Sequence, residues 1–480
     1  MNEIWDAAKS PQGRTALFWL LFYKRICDLW EEEREALAAP RAGSDGAALP
    51  SGHRFAIPET HSWSDIRKRS LDVGAKLAIA FHAIEDANPS LAGLLSGHDF
   101  SDREAFPDST LQALLERFDG LRLRSSEVDD DAFSSLCEML AERIAGDVRT
   151  SSAGPETPRQ IARLLVEILQ PQEGMSIYDG TCGSGGILLE CYRHMRRLKK
   201  NVSSLRFYGQ EIDSDAWSLC RITLLCLGIQ GAAIERGDTL RNPRHLTGDG
   251  RALMSFDRVI THPPFNLKEW GFDEWSQGDA YGRSEYGIPP RSCADLAFLE
   301  HSIASLNSKG MLGTVAPQGI LFRTREEGEI RRRILQDDLV EAVIGLSPDV
   351  LSCSSMPACL LILSKAKPRE RREKVLLVDG AEEPRAGASR SSLSDENVDR
   401  ITSAFRAFED QERYCRVVSL RDIERNGFTL SITRYIQVCG EERETNVLAE
   451  WQTLQKLIAE RNEAEKRMTE YLNRLGQTPR

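Results

Sequence analysis

Three clusters in the middle of the chain have residue types and spacing that could do chemistry. The first is Asp179-Gly180-Thr181-Cys182-Gly183-Ser184-Gly185-Gly186, directly after the apolar Ile177-Tyr178. Glycines there let the backbone come close to a ligand, and a helix expected from Ile187 to about Arg196 presents free N–H groups at its start. The second is Glu211. It closes the apolar-rich run Leu205-Arg206-Phe207-Tyr208-Gly209 and so falls at a strand's carboxyl end, where an acid suits a ribose diol. The third is Thr261-His262-Pro263-Pro264-Phe265, after the run Phe256-Asp257-Arg258-Val259-Ile260. Two prolines cannot continue a strand ladder and stiffen the turn, and the aromatic after them offers a flat face for stacking. Cys182 beside Ser184 invites a nucleophile reading, but no base is placed by spacing and the glycine loop explains both residues. The loop also lacks the Lys-Ser/Thr ending of a phosphate-binding P-loop.

Positioning these clusters requires a layered scaffold. From 175 to about 365 the pattern alternates between strands and helical stretches, with strands expected near 175–179, 205–211, 233–236, 256–261, 311–316, 339–345 and 358–363. That alternation predicts an α/β fold with a doubly wound, Rossmann-like parallel sheet. Arg258 is awkward inside the fourth strand, which should be buried on both faces. Asp238, in Gly237-Asp238-Thr239 after the third strand, is a further acid at the same edge or a simple turn residue. Thr157-Pro158 opens a helix with Ile161, Leu164, Leu165 and Ile168 on one face.

Before this region, residues 1–148 read as helical. Ala16, Trp19, Leu20, Tyr23, Ile26 and Trp30 recur at helix spacing, a loop covers 37–51, and further helices are expected at 61–69, 73–86, 108–118 and 131–146. Trp5, Trp19 and Trp30 are expected core residues, and 148–156 a hinge. After the sheet region a polar loop covers 381–395 and a helix follows from Asp395 to Phe408. The end, 447–475, places Val447, Trp451, Leu454, Ile458, Met468, Leu472 and Leu475 at alternating spacings of a coiled-coil seam, interrupted by Arg461 and Glu465. A lone helix packing back on its own domain is the competing reading. The expected organisation is therefore a helical domain at 1–148, an α/β domain at 149–440 and a helical tail at 441–480.

Composition narrows the classes. With 480 residues, 41% hydrophobic and 28% charged, the chain describes an ordinary globular protein of two or three domains. No stretch approaches the roughly 20 apolar residues of a membrane span, and no secretion signal is expected. Eleven scattered cysteines form no C-x-x-C pair, which fits reduced thiols in the cytoplasm and no metal site. The net charge of -11 argues against a chain that grips nucleic acid alone, so such contact would be local or shared with a partner.

A glycine loop with a later acid is shared by dehydrogenases and methyltransferases; the third cluster separates them. His262-Pro263-Pro264-Phe265 resembles the Asn-Pro-Pro-Phe turn of amino-group methyltransferases acting on adenine. Together with the loop after Asp179, it makes the chain look like the modification subunit of a type I restriction–modification system. Tyr286-Gly287-Ile288-Pro289-Pro290, followed by Arg291-Ser292-Cys293-Ala294-Asp295-Leu296-Ala297-Phe298, resembles the family's Gly-Val-Pro-Pro-Lys-x-Asn-Ala-Asp-x-Ala-Phe block. Gln318 to Arg323, Glu329-Ile330-Arg331 and Glu341 to Leu346 match as well, so the resemblance runs from Pro158 to Ile436. Four departures stand out: His262 and Cys293 where the family has Asn, Leu296 in place of an aromatic, and Pro155-Glu156 in place of Phe-Tyr.

The resemblance implies S-adenosyl-L-methionine as cofactor, with Thr157, Pro158, Asp179, Thr181, Gly183, Ser184, Gly185, Glu211 and Asp238 around it. It implies a helical N-terminal domain that helps clasp DNA and a C-terminal helix that docks on a DNA-specificity subunit. A second modification subunit and a restriction subunit are further partners it allows. His262, Pro263, Pro264 and Phe265 become the catalytic turn. An aromatic amine is a poor nucleophile because its lone pair is delocalised, and acceptors taking its N–H bonds localise that pair. Pro263 offers a backbone carbonyl, and neutral His262 one free ring nitrogen, whereas imidazolium offers none. With an ordinary pKa near ~6.5, His262 would make turnover pH-sensitive. Phe265 is expected to stack on the flipped base. The competing readings are a catalytically impaired structural or regulatory subunit of the same architecture, since the departures fall where chemistry sits, and a nucleotide-binding oxidoreductase.

Overall fold

The computed structural model describes residues 11–38, 53–68, 71–96, 100–147, 157–229, 231–347, 350–351, 356–381, 393–436 and 447–474. Trp5, the 148–156 hinge with Pro155-Glu156, and most of the 37–51 and 381–395 loops lie outside these residues.

Helix α1 (Pro11–Ala38) is the axis of the N-terminal region. The expectation of one apolar face understates it: positions 16–30 are buried without a break, which marks a helix surrounded by others. Its charges survive burial because each is matched. Arg25 donates to the carbonyls of Leu123 (2.6 Å) and Val128 (2.8 Å) and pairs with Asp130, while Asp28 accepts from the Leu123 N–H. Helices α2 (Val73–Ala87), α3 (Asp108–Asp119) and α4 (Asp130–Asp147) complete the bundle, with a short helix Trp63–Arg67, all where the sequence places them. Trp19 and Trp30 are buried as expected. The bundle core continues onto Ile222 and Leu225 of a helix in the α/β region, so the two share one apolar surface.

The α/β region opens with α5 (Arg159–Leu169), begun by Pro158, whose fixed φ of −54° suits a helix entry. It continues with β1 (Ser176–Asp179), α6 (Gly186–Arg197), β2 (Arg206–Glu211), α7 (Ser214–Cys226), β3 (Ala233–Arg236) and β4 (Phe256–Thr261). Next come α8 (Asp295–Ala304), β5 (Leu306–Pro317), α9 (Glu326–Gln336), β6 (Val340–Gly345) and β7 (Ala358–Ser364). Strands β8 (Lys374–Asp379) and β9 (Cys415–Ser419) flank α10 (Asp395–Ala407). The nine strands form one sheet in the order β3-β2-β1-β4-β5-β7-β6-β8-β9. Strands β3 to β5 pair in parallel, whereas β7 runs antiparallel to both β5 and β6. The sheet is therefore mixed, which corrects the expectation of a parallel one: β7 inserts between β5 and β6 and pairs antiparallel with both. All of the expected strands form; β8 and β9 were not among them, although Val375 to Val378 are all buried.

Arg258 has a physical account. The β4–β5 register shifts between Phe256 and Arg258, and the guanidinium turns toward the last turn of α5, donating to the Leu169 carbonyl at 2.6 Å and to the Asp257 carbonyl at 2.8 Å. A cation at a helix C-terminus satisfies an orphan carbonyl and complements the dipole.

The described residues up to Tyr435 form one compact unit, and the C-terminal segment is another. In that segment α11 (Val447–Arg474) carries exposed apolar side chains at Trp451, Leu454, Leu457 and Met468. Among the described residues no helix is long and apolar enough to cross a membrane.

Candidate functional site

Strand order reverses at β1, whose neighbours are β2 and β4, so the loops leaving these strands open on one edge of the sheet. The register pairs Tyr178 with Val259, and as a result the glycine loop after β1 and the proline turn after β4 lie side by side. The Thr181 and Thr261 hydroxyls meet at 2.8 Å across that seam. The sequence brings its three clusters together through this switch point.

Glycine is required in the loop for two different reasons. Gly185 has φ +90°, and a Cβ there would lie 2.7 Å from the Cys220 sulfur of α7, so it lets helix and loop close up. Gly183 has φ +53°, but a Cβ there would meet nothing within 4 Å. Its backbone borders open space, where a ligand could come close. Ser184 lies between them, and α6 starts at Gly186 with no side chain capping its first N–H groups. Cys182 is buried, and no base stands within the loop; its thiol is held protonated, first by its hydrogen bond with the Cys220 thiol and then by burial. The nucleophile reading has no support.

Glu211 organises the site. Its carboxylate accepts from the Gly183 N–H at 2.9 Å and from the Ile212 and Asp213 N–H groups at 2.8 and 2.9 Å. It therefore ties the end of β2 to the glycine loop and keeps acceptor capacity to spare. Burial raises its pKa. Asp179, fully buried at the end of β1, accepts from the Thr181 N–H at 3.0 Å. Burial pushes its carboxyl up to about 7, with the Thr261 and Thr181 donors opposing and Glu211 adding to the rise. Asp238 sits at the end of β3, where one oxygen accepts from the Leu240 and Arg241 N–H groups at 2.9 and 3.1 Å. This is the turn-acid arrangement, with the second oxygen 4.0 Å from Arg241 Nε and the side chain 30% exposed. Open space beside Gly183, a helix start without a side-chain cap and carboxylates with spare acceptors fit a ligand carrying both hydroxyls and a cationic group.

At the proline turn, His262 is 6% exposed. Its Nδ1 lies 2.9 Å from Thr157 Oγ1, so Thr157 touches the turn rather than standing only beside the glycine loop. Burial lowers the pKa of His262 to about 4. This corrects the expectation of a histidine titrating near 6.5: the ring is neutral at physiological pH and keeps an acceptor. Pro263 is buried and Pro264 half-buried. Phe265 is half-buried, packs on the sheet's main core and lies 5.5 Å from the His262 ring at a 56° tilt.

A buttress that sequence reading missed holds the exit of the turn. The Asn266 N–H donates to Asp295 at 2.8 Å. Arg323 reaches Asp295 (3.2 Å), Glu327 (3.1 Å), the Cys293 sulfur (3.8 Å) and the Asn266 side-chain oxygen (3.5 Å). Cys293, Asp295 and Glu327 have metal-ligand spacing, but the guanidinium already supplies the cation among them. The signal available in sequence was the matched blocks Arg291 to Phe298 and Gln318 to Arg323, which turn out to be the two sides of this cluster.

Known proteins align with this architecture. The N-6 DNA methylase family profile matches residues 128–444, and an HsdM N-terminal domain profile matches 1–118. The chain is 27% identical to the type I restriction enzyme MjaVII methylase subunit of Methanocaldococcus jannaschii, over 98% of this chain and 81% of that protein. It is 28% identical to the HindI methylase subunit of Haemophilus influenzae, over 86% and 91% respectively. A crystal structure of a type I restriction-modification methyltransferase subunit from Streptococcus thermophilus superposes with a TM-score of 0.78 at 23% identity, covering 91% of this chain and 98% of that one. With a nine-stranded sheet, a switch-point glycine loop and a proline turn where that architecture requires them, the chain belongs to the N-6 DNA methylase family.

Proposed function

We propose that the chain is the modification subunit of a type I restriction–modification complex and transfers a methyl group to the exocyclic amino nitrogen of adenine in DNA. The observation that carries this reading is the juxtaposition of two loops: a glycine loop whose Gly183 borders open space, beside a turn that carries a neutral histidine ring, a proline carbonyl and an aromatic face.

S-adenosyl-L-methionine fits the first loop and, when bound, supplies an electrophilic methyl group. Glu211 has the acceptor capacity for ribose hydroxyls, and the half-exposed Asp238 side chain, at the same edge beside Arg241, would meet the base of the cofactor. Asp179, with the Thr181, Gly183, Ser184 and Gly185 backbone and Thr157-Pro158 across the gap, would surround the amino-acid portion. At the second loop, neutral His262 and the Pro263 carbonyl accept the two N–H bonds of the target amine. Its lone pair then localises toward the methyl. Phe265 stacks on the flipped base and keeps the amine in line.

The acidic balance of the chain suits shared DNA contact. The exposed Trp451, Leu454, Leu457 and Met468 suit docking of α11 on a specificity subunit, with a second modification subunit and a restriction subunit completing a cytoplasmic complex. The test is calorimetric titration of S-adenosyl-L-methionine into the protein alone and with a specificity subunit. Saturable binding that Glu211→Gln weakens at least about tenfold is expected from losing a charged acceptor; no binding at millimolar cofactor by either preparation refutes the reading.

A further inference from the structure

Replacing a carboxamide by an imidazole at the turn creates a problem of proton placement. A carboxamide oxygen is always an acceptor, whereas a neutral imidazole accepts at only one nitrogen, chosen by its tautomer. In His262 the two nitrogens are distinguished. Nδ1 is 2.9 Å from Thr157 Oγ1, while Nε2 is buried without a hydrogen-bond partner among the described residues. If the Thr157 hydroxyl donates to Nδ1, Nε2 carries the hydrogen and becomes a buried orphan donor. If Nδ1–H donates to Thr157 Oγ1, Nε2 keeps a lone pair. Orphaned buried donors are rarer than under-used acceptors, and only the second arrangement leaves an acceptor for an amino group.

We propose that Thr157 is a positioning residue that holds His262 in the Nδ1–H form, so that the Nε2 lone pair faces the amino group to be methylated. The inference rests on the methyltransferase reading above. The geometry around the pair is fixed from both ends. Thr157 precedes Pro158, which sets the entry of α5, and His262 follows the last residue of β4 and precedes two prolines. A hydroxyl on one element and a ring nitrogen on another thus hold one orientation. Threonine takes up the task, created by the histidine, of choosing which nitrogen is free.

The experiment uses the full chain, labelled with 15N in its eight histidines, with His262 assigned by its loss in His262→Asn. Two-bond ring correlations report which nitrogen carries the hydrogen. The expected result is an Nδ1–H ring in the wild type, a gain of Nε2–H in Thr157→Val, and recovery in Thr157→Ser. In methyl transfer with the specificity subunit, Thr157→Val should lower kcat roughly tenfold to a hundredfold, the range for removing a group that orients another. Because Thr157 also borders the cofactor side, the cofactor KM should rise by a much smaller factor than kcat falls, and in the His262→Asn background Thr157→Val should cost much less of kcat than it does beside His262. A wild-type Nε2–H ring, or a Thr157→Val variant that raises the cofactor KM and leaves kcat alone, overturns the proposal. Should the wild-type complex transfer no methyl at all, the reading above fails separately, and the ring spectra still decide the tautomer.

Discussion

Replacing Asp179 by asparagine should stabilise the ligand-free protein while disabling its pocket. Asp179 is 1% exposed, and burial, the first cause, raises its carboxyl from 3.8 to about 7. Between those two values the folded chain holds a proton that the unfolded chain has released, so stability falls as pH rises through the window. Above it, the full cost of a buried charge is present, at most about 4 kcal/mol from roughly 1.4 kcal/mol per unit. Asparagine keeps the oxygen that accepts from Thr181 at 3.0 Å and removes the charge. Its new NH2 must find acceptors, which returns about 2 kcal/mol of the gain and leaves a net stabilisation of about 2 kcal/mol. Urea denaturation of both proteins at about pH 8 and about pH 5 should show that gain at the higher pH and little difference at the lower, where the wild-type group is mostly protonated. Calorimetry should show weaker binding of S-adenosyl-L-methionine to the variant. An Asp179→Asn protein less stable than wild type at the higher pH, or a difference equal at both, would show that the Asp179 carboxyl is not a buried charge that destabilises the fold.

The glycines of the loop should separate folding from binding. Gly185→Ala meets the Cys220 sulfur at positive φ and should cost about 2–3 kcal/mol in denaturant titration, whereas Gly183→Ala faces open space and should cost only about 1 kcal/mol yet bind cofactor at least about tenfold less tightly. In pH profiles, kcat should show no inflection near ~6.5, because His262 loses its acceptor only as pH falls through about 4; kcat/KM should carry an acid limb near 7 from Asp179 of the free protein. A kcat inflection near ~6.5 that vanishes in His262→Asn would count against the buried ring. Arg323→Gln leaves Asp295 and Glu327 without their cation and should destabilise by about 3 kcal/mol, toward the low end for buried pairs because Arg323 itself is 32% exposed. Its kcat should fall with cofactor affinity unchanged, and parallel loss of cofactor binding would show that the cluster does not act on the proline turn.

Sequence resolved the local features and missed those that depend on distant partners. The period-two and continuous apolar runs marked β1 to β7, and caps and periodicity placed α2, α3 and α4 within a residue or so of their observed ends. Strand β8 was equally apolar, but it lies after a basic cluster and before a polar loop, and β9 is an edge strand whose burial alternates incompletely. Arg258 looked wrong for a buried strand because its partner, the Leu169 carbonyl, lies 89 positions away. The same distance effect hid the Thr157–His262 contact, 105 positions apart, and the Arg323 cluster. Reading His262 as a titrating group assumed solvent around it; burial, which only the packed turn supplies, shifts it out of the physiological range. The apolar spacing of α11 was legible, and the structure leaves Trp451, Leu454, Leu457 and Met468 exposed.

The proposed function requires that a turn with histidine in place of asparagine still methylates adenine. The direct measurement combines the chain, its specificity subunit, duplex DNA and S-adenosyl-L-methionine labelled in the methyl group, followed by digestion and identification of the labelled nucleoside. Label is expected in N6-methyladenine, retained or increased in His262→Asn. Saturable cofactor binding with no transfer of label, or label found on cytosine, would contradict it.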